Sequence, residues 1–321
     1  MPTVNPVLLS VLFAFAATAV CCPLLIWGLK SLKLTQPILS ELPSDHQAKR
    51  GTPLMAGLIL FCGIAAPFLV HTSPLTGYLG AVFLLFSLIG FLDDMKKALF
   101  QNPSGISART KLLFQFLFTA VLLYVLYSYF ELSTNIPVTA TMELVLPVFL
   151  YFSIAALFIV GSANAINFTD GMDGLLIVVS LPTYLFFFAI SEQPEVQLFC
   201  LTMIASLIGL LFYNLYPAKA FMGDTGSLAI GGSLAFLCVM EKVEILAPLL
   251  FFVYFAEQLS VILQVWYYKK TKLRIFKMAP IHYHFRLKYG WSENTIVLVF
   301  GSVSWACALL CYMLWRYVLV T

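Results

Sequence analysis

Ten stretches of the chain, at roughly 7–29, 53–70, 76–92, 112–130, 144–163, 174–190, 196–213, 226–240, 244–268 and 294–318, are apolar enough to read as bilayer-crossing helices. A crossing helix needs ~20 such residues. Inside hydrocarbon every backbone polar group must be paired within the protein, which leaves helices or closed barrels as the only spanning forms. The repetition predicts an all-α polytopic membrane protein of about ten transmembrane helices, with residues 1–321 forming one membrane-embedded domain. Segment 226–240 is short and should borrow flanking residues. Segment 244–268 is long and contains Pro248, Glu257 and Gln264, so a bend or break is expected in it.

Composition agrees. Of the 321 residues 61% are hydrophobic and 10% charged, against about 25% charged in soluble domains. That balance argues against a disordered chain and against a nucleic-acid-binding domain, so no nucleic-acid partner is expected. The seven cysteines all lie in apolar segments and form no C-x-x-C pair, which fits small buried hydrophobes better than disulfides or metal ligands. No Lys or Arg precedes the first apolar run and no small-residue cleavage site follows it, so it reads as a spanning helix and not a removable signal.

Charge gives the orientation. Numbering each loop by the helix before it, sixteen of the 18 Lys and Arg fall in odd loops, and only Lys242 and Arg316 fall on the other side. The positive-inside rule then places odd loops in the cytoplasm and both termini outside. Asp93, Asp94, Asp170, Asp173, Asp224 and Glu257 fall at the cytoplasmic ends of helices. A carboxylate beside hydrocarbon is costly and usually has a partner or a task. Five aspartates gathered on one membrane face are the main functional clue.

Four motifs carry that clue. The third helix ends Asp93-Asp94-Met95-Lys96-Lys97. Lys97 lies within a helical turn of both carboxylates. The group could hold Mg²⁺, bind phosphate through its lysine or act as a base, and a solvated charge run explains it equally well. Asn164, Asn167, Asp170 and Asp173 recur every three residues, which would stack them on one helix face, whereas Gly171 and Gly174 point to a turn. Lys219, Phe221, Gly223 and Asp224 open the eighth helix, whose free N–H groups favour anions. Phe221 could be a platform for a base or an interfacial anchor. The ninth loop carries His282-Tyr283-His284 among basic residues. Phosphate contact suits that field better than a zinc site short of ligands, and contact with anionic lipid is the plainer reading.

From His46-x-x-Lys49-x-Gly51-Thr52-Pro53 to Trp291, the order and spacing of these motifs resemble the polyprenyl-phosphate N-acetylhexosamine-1-phosphate transferases. Within that superfamily the chain is most similar to the phospho-N-acetylmuramoyl-pentapeptide transferases, on the first motif, on Glu257-x-x-Ser260-Val261-Ile262-x-Gln264 and on Met278-Ala279-Pro280-Ile281-His282-x-His284-Phe285. Two departures are visible. Tyr283 stands where the family has the middle of three histidines, and Ala56 where it has glycine.

The resemblance implies a multi-pass enzyme of the bacterial cytoplasmic (inner) membrane with Mg²⁺ as cofactor. It would transfer phospho-N-acetylmuramoyl-pentapeptide from UDP-N-acetylmuramoyl-pentapeptide to undecaprenyl phosphate, giving lipid I and UMP in peptidoglycan synthesis. Asp93, Asp94, Asp224 and His282 would be the catalytic groups, with Asp224 the Mg²⁺ ligand. Lys49, Thr52, Lys97, Lys111, Asn167, Asp170, Asp173, Asn214, Phe221, Gln264 and His284 would bind substrates. A direct displacement is preferred to a covalent route through Asp94. A phenol with a pKa of about 10 is a poor proton shuttle, so Tyr283 is not expected to act as acid or base. Assembly as a homodimer stays open. A UDP-N-acetylglucosamine donor, as in the sister branch, is the alternative within the class. An ion-coupled transporter is the alternative outside it, weakened because transporter sites tend to lie near the bilayer midplane.

Overall fold

The computed structural model describes residues 5–35, 51–101 and 104–320. Lys49 and His46 lie outside the described residues. Each of the ten apolar segments is helical over most of its length. The helices are α1 Pro6–Ser31, α2 Ala56–Leu69, α3 Pro74–Phe100, α4 Ala108–Tyr129, α5 Val148–Thr169 and α6 Leu175–Ile190. They continue as α7 Pro194–Asn214, α8 Gly223–Met240, α9 Glu244–Leu250, α10 Phe252–Thr271, α11 Ile281–Tyr289 and α12 Glu293–Leu314. Among the described residues seven helices are long and apolar enough to cross a membrane, or eight if α9 and α10 count as one bent span. The other two apolar segments, α2 and α6, are helical but shorter, and α2 is broken into 3₁₀ and α turns.

Helix α8 is the axis of the fold. Every residue from Thr225 to Val239 is buried, and α3 and α5 pack along it. Close approach depends on small residues. A Cβ on Gly90 of α3 would collide with the Asp224 carbonyl, and one on Gly231 with the Ala163 backbone of α5. As expected, α8 recruits flanking residues, beginning at Gly223 instead of 226. The outer helices turn large apolar side chains outward, among them Trp27, Leu113, Phe149 and Leu298. Such a surface matches a lipid solvent.

The expected bend is present. α9 and α10 meet at 73°. The break falls at Phe251, not at Pro248, which opens the α-helical part of α9 at Ala247–Leu250 after a 3₁₀ turn, a position where its missing N–H is tolerated. A short hairpin was not anticipated. Strands β1 Asn135–Thr139 and β2 Met142–Val145 pair antiparallel, and the Ala140 N–H donates to the Val318 carbonyl at 2.8 Å. The segment expected as a span from 144 therefore begins inside a strand. The helix starts only after Pro147 and runs on to Thr169.

Candidate active site

The third helix carries Asp93 and Asp94 past its apolar stretch, with Lys97 one turn on. Lys97 Nζ lies 2.6 Å from Asp93 Oδ2, 3.9 Å from Asp94 Oδ1 and 3.3 Å from Asp224 Oδ2. Lys111, from the first turn of α4, reaches the same Asp224 Oδ2 at 2.7 Å. Asn167 of α5 donates to Asp224 Oδ1 at 2.9 Å and to the Ser227 hydroxyl at 2.7 Å. Four helices thus converge on one carboxylate.

The three aspartates are not equivalent. Asp94 is fully buried and accepts the N–H of Asp224 at 3.1 Å, the N–H of Thr225 at 2.8 Å and the Thr225 hydroxyl at 2.7 Å. It caps the start of α8 from a neighbouring helix, satisfying donors that a helix leaves free and placing negative charge at the positive end of its dipole. Gly223 makes this possible. It adopts φ +75°, and a Cβ there would strike the Asp94 carboxylate. Asp93 is also buried and accepts the Ile106 N–H at 2.7 Å. Only Asp224 keeps an open edge, with its side chain 16% exposed.

The Asn/Asp motif combines both geometries that its spacing allowed. Asn167 lies on the last turn of α5, Asp170 ends the helix, and Gly174 turns the chain at φ +77°. Burial, reinforced by the charges of Asp224 and Asp94, pushes Asp170 well above the usual carboxylate range. Asp173 is buried and accepts the Ala218 N–H at 2.9 Å. Asn214 accepts the Gly174 N–H at 3.1 Å and donates to the Ala220 carbonyl at 2.9 Å. These two residues shape the loop that presents Asp224. Phe221 packs against the small apolar cluster of Leu29, Leu34, Leu54, Met55 and Ala98, and backbone bonds between Pro53 and Phe221 at 2.8 Å and between Ala56 and Phe221 at 2.9 Å join the two segments. Thr52 adjoins that junction.

The ninth-loop residues make no direct contact with Asp224 among the described residues. Gln264 is used by the loop itself, accepting the N–H groups of Ile275 and Phe276 at 3.0 and 2.9 Å. His282 is fully buried, with Nδ1 3.1 Å from Glu257 Oε1. Its ring edge lies against Gly171, where a Cβ would clash with it. The Tyr283 hydroxyl donates to the Gly171 carbonyl at 3.0 Å, and burial pushes its pKa up to about 12. His282 and Tyr283 therefore bear on the turn that carries Asp170 and Asp173. His284 accepts the Lys277 N–H on Nδ1 at 3.0 Å. Sequence reasoning did not assign Thr225, Ser227 or the Ile106 backbone, and did not pair Glu257 with His282. A hydroxyl after the Asp224 motif was visible, but nothing local said that it faced Asp94.

Among the described residues Asp93, Asp94 and Asp224 form the one group of three potential metal ligands whose donor atoms lie within 4.8 Å of one another. Three carboxylates face two lysines, a surplus of negative charge that a divalent cation would neutralise. The donor set is all oxygen, which suits Mg²⁺.

A family model for glycosyl transferase family 4 matches residues 75–242, a window that holds all three carboxylates and both lysines. The chain is similar to the phospho-N-acetylmuramoyl-pentapeptide-transferase of Bacillus subtilis, with 37% identity over 97% of each chain. That of Staphylococcus epidermidis is 40% identical over 91% of this chain and 94% of its own. That of Clostridium acetobutylicum is 36% identical over 96% and 98%.

Proposed function

The chain belongs to glycosyl transferase family 4, in its phospho-N-acetylmuramoyl-pentapeptide-transferase branch, and from that premise we propose how it makes lipid I in the bacterial cytoplasmic membrane. The donor is UDP-N-acetylmuramoyl-pentapeptide and the acceptor undecaprenyl phosphate. The site faces the cytoplasm and both termini lie outside, on the charge asymmetry of the loops. The observation that carries the reading is the convergence of Asp93, Asp94, Asp224, Lys97 and Lys111 at one end of the bundle.

Phosphoryl transfer asks a protein mainly for positioning and charge neutralisation. A phosphomonoester has a second pKa of about 6, so the lipid phosphate arrives largely as the dianion and needs no strong base. Lys97 and Lys111, gathered at Asp224, would draw it in and hold it in line. Asp93, fixed by Lys97 and the Ile106 N–H, takes the residual proton where one remains. An oxygen of the lipid phosphate bonds to the donor's β-phosphorus as the bond from that phosphorus to the bridging oxygen breaks, and UMP leaves. Asp94 is assigned a structural part. Its oxygens already accept three hydrogen bonds and it is sealed from solvent, which supports a direct displacement over a covalent phospho-Asp94.

Asp224, with Asp93 beside it, would hold Mg²⁺, which supplies charge neutralisation of the diphosphate. Five aspartates as first ligands would leave no room for substrate oxygens, whereas Mg²⁺ is usually held by one or two carboxylates plus phosphates. Asn167, Asp170, Asp173, Asn214 and Phe221 would frame the nucleotide and metal, with Lys49 and Thr52 contributing from the segment before α2. His282 would act from the far side of the Gly171 turn.

The test is UMP release by the purified chain in neutral detergent with undecaprenyl phosphate and either donor. Release from the muramyl donor alone is expected. Turnover of UDP-N-acetylglucosamine in its place would overturn the assignment.

A further inference from the structure

Away from the carboxylate cluster, a cavity of about 350 Å³ lies just beyond the last turn of α10. It is lined by Arg274, Ile275, Phe276, Lys277, His284 and Lys288. The cavity is built and not merely left between mobile side chains. Gln264 fixes the backbone of Ile275 and Phe276, and His284 fixes that of Lys277. Because Nδ1 of His284 accepts a hydrogen bond, the neutral ring carries its proton on Nε2 and can donate from there. Burial, with Lys288 and Lys277 adding to it, lowers the His284 pKa. The lining holds three cations and no acid, and none of the three makes an ion pair among the described residues.

The rim has the opposite character. Ile275 of the lining is 45% exposed, and Leu273 and Leu287, the chain neighbours of Arg274 and Lys288, are 63 and 46% exposed. Just before Leu273 and Ile275 in the chain, the last two turns of α10 expose Trp266 and Tyr268, with Lys270 Nζ 4.3 Å from the Trp266 ring centre. Aromatic rings and lysines at the end of a span mark the headgroup level. A cationic pocket inside an apolar rim at that level suits a ligand that is anionic at one end and aliphatic at the other.

We propose that the Arg274–Lys277–Lys288 pocket is a binding site for the phosphate of an anionic phospholipid of the adjacent leaflet, whose acyl chains lie over Leu273, Ile275 and Leu287. The leaflet is the cytoplasmic one on the orientation proposed above; the pocket's chemistry is independent of the assigned reaction. A soluble anion would gain nothing from the rim. Juxtamembrane cations attract such lipids by about fivefold each, on the order of a hundredfold for three. Bound lipid would hold the ninth loop, and with it the His282 contact on Gly171, at a set depth in the membrane.

The experiment is native mass spectrometry of the full chain, released from neutral detergent and titrated with phosphatidylglycerol or phosphatidylcholine. The wild type should prefer phosphatidylglycerol. Arg274→Ala/Lys277→Ala/Lys288→Ala should lose most of that preference, more than tenfold, and keep its UMP release in neutral detergent. Leu273→Ser/Leu287→Ser should weaken both lipids together. Wild-type binding should survive millimolar inorganic phosphate and UDP. Displacement by inorganic phosphate would mean a site for free anions, and displacement by UDP, or a raised donor KM in the triple variant, would give the pocket to the nucleotide substrate. Either result, or an unchanged lipid preference in the triple variant, overturns the proposal.

Discussion

At one end of α8 three carboxylates meet two lysines; at the other end Lys242 meets Glu244. The second cluster closes on itself. Lys242 Nζ lies 2.9 Å from Glu244 Oε1, 2.9 Å from the Tyr151 hydroxyl and 3.1 Å from the Ser133 carbonyl. It also sits 4.3 Å over the Tyr151 ring, while Tyr151 donates to Glu244 at 2.7 Å. Charges balance, and the lysine's donors are consumed within the fold. The first cluster keeps one negative charge in surplus, and exposure does not separate the two: Asp224 is 16% exposed, Lys242 and Glu244 18 and 13%. Buried charge alone therefore does not mark a site in a membrane protein. Surplus charge does, and balanced charge makes a staple between helices.

The contrast can be broken most sharply by topology. The two clusters should face opposite sides of the membrane. A membrane-impermeant maleimide applied outside should label Ile136→Cys above the wild-type background and miss Lys272→Cys. The reverse pattern would invert the orientation and the cytoplasmic site with it. Next in size is Asp224→Asn. It keeps the shape and removes the surplus charge, so UMP release should fall at least about a hundredfold, the scale of losing one preorganised electrostatic group. The response to Mg²⁺ should flatten while the protein still purifies folded. Near-normal turnover with an unchanged Mg²⁺ titration would move the metal to Asp93 and Asp94.

Lys242→Met addresses the closed cluster. Breaking a fully buried pair costs about 3–5 kcal/mol, and partial exposure reduces this to about 1–3 kcal/mol. Thermal unfolding in detergent should report that loss, with turnover per folded enzyme unaffected. The smallest effect belongs to Glu241, which accepts the Ser191 hydroxyl at 2.7 Å. Burial raises its pKa, against the hydrogen bond from Ser191. A carboxyl whose folded pKa is raised stabilises most below its unfolded pKa of about 4.3 and loses that contribution as pH rises through the folded value. Glu241→Gln should therefore melt slightly higher than wild type near pH 8, and the gain should vanish by about pH 4. A gain that grew on acidification would refute the sign.

Much of this was legible in the sequence for a definite reason. A span must be apolar along its whole length, so ten segments stood out, and the few carboxylates left beside them were conspicuous. Lys97, Asn167 and Asp224 lie in terminal turns and Asp93 and Asp94 within about two turns of the end of α3, where position along the chain also fixes depth in the membrane. Rotation about each helix axis is not fixed in this way. Nothing in the order of residues says that Thr225 faces Asp94, or that Glu257 in α10 meets His282 in α11. Gln264, expected near the nucleotide, bonds the loop backbone in this structure, a role its spacing could not announce because an amide binds main chain and ligand with the same groups. The hairpin escaped notice because Met142, Leu144 and Val145 are as apolar as the helix that follows them.

The attachment of Asp93 and Asp94 has a consequence for inheritance. The partners that hold them include the main-chain N–H groups of Ile106, Asp224 and Thr225, atoms that almost every codon supplies. The Ile106 side chain is free to drift without erasing the geometry, while the Asp224 carboxylate and the Thr225 hydroxyl, which also donates to Asp94, are not; an inhibitor that leaned on the amides themselves would offer selection few substitutions with which to escape. The vulnerability is concentrated at Gly90, Gly105 and Gly223, where any added carbon would force apart the helices or meet the Asp93 or Asp94 carboxylate.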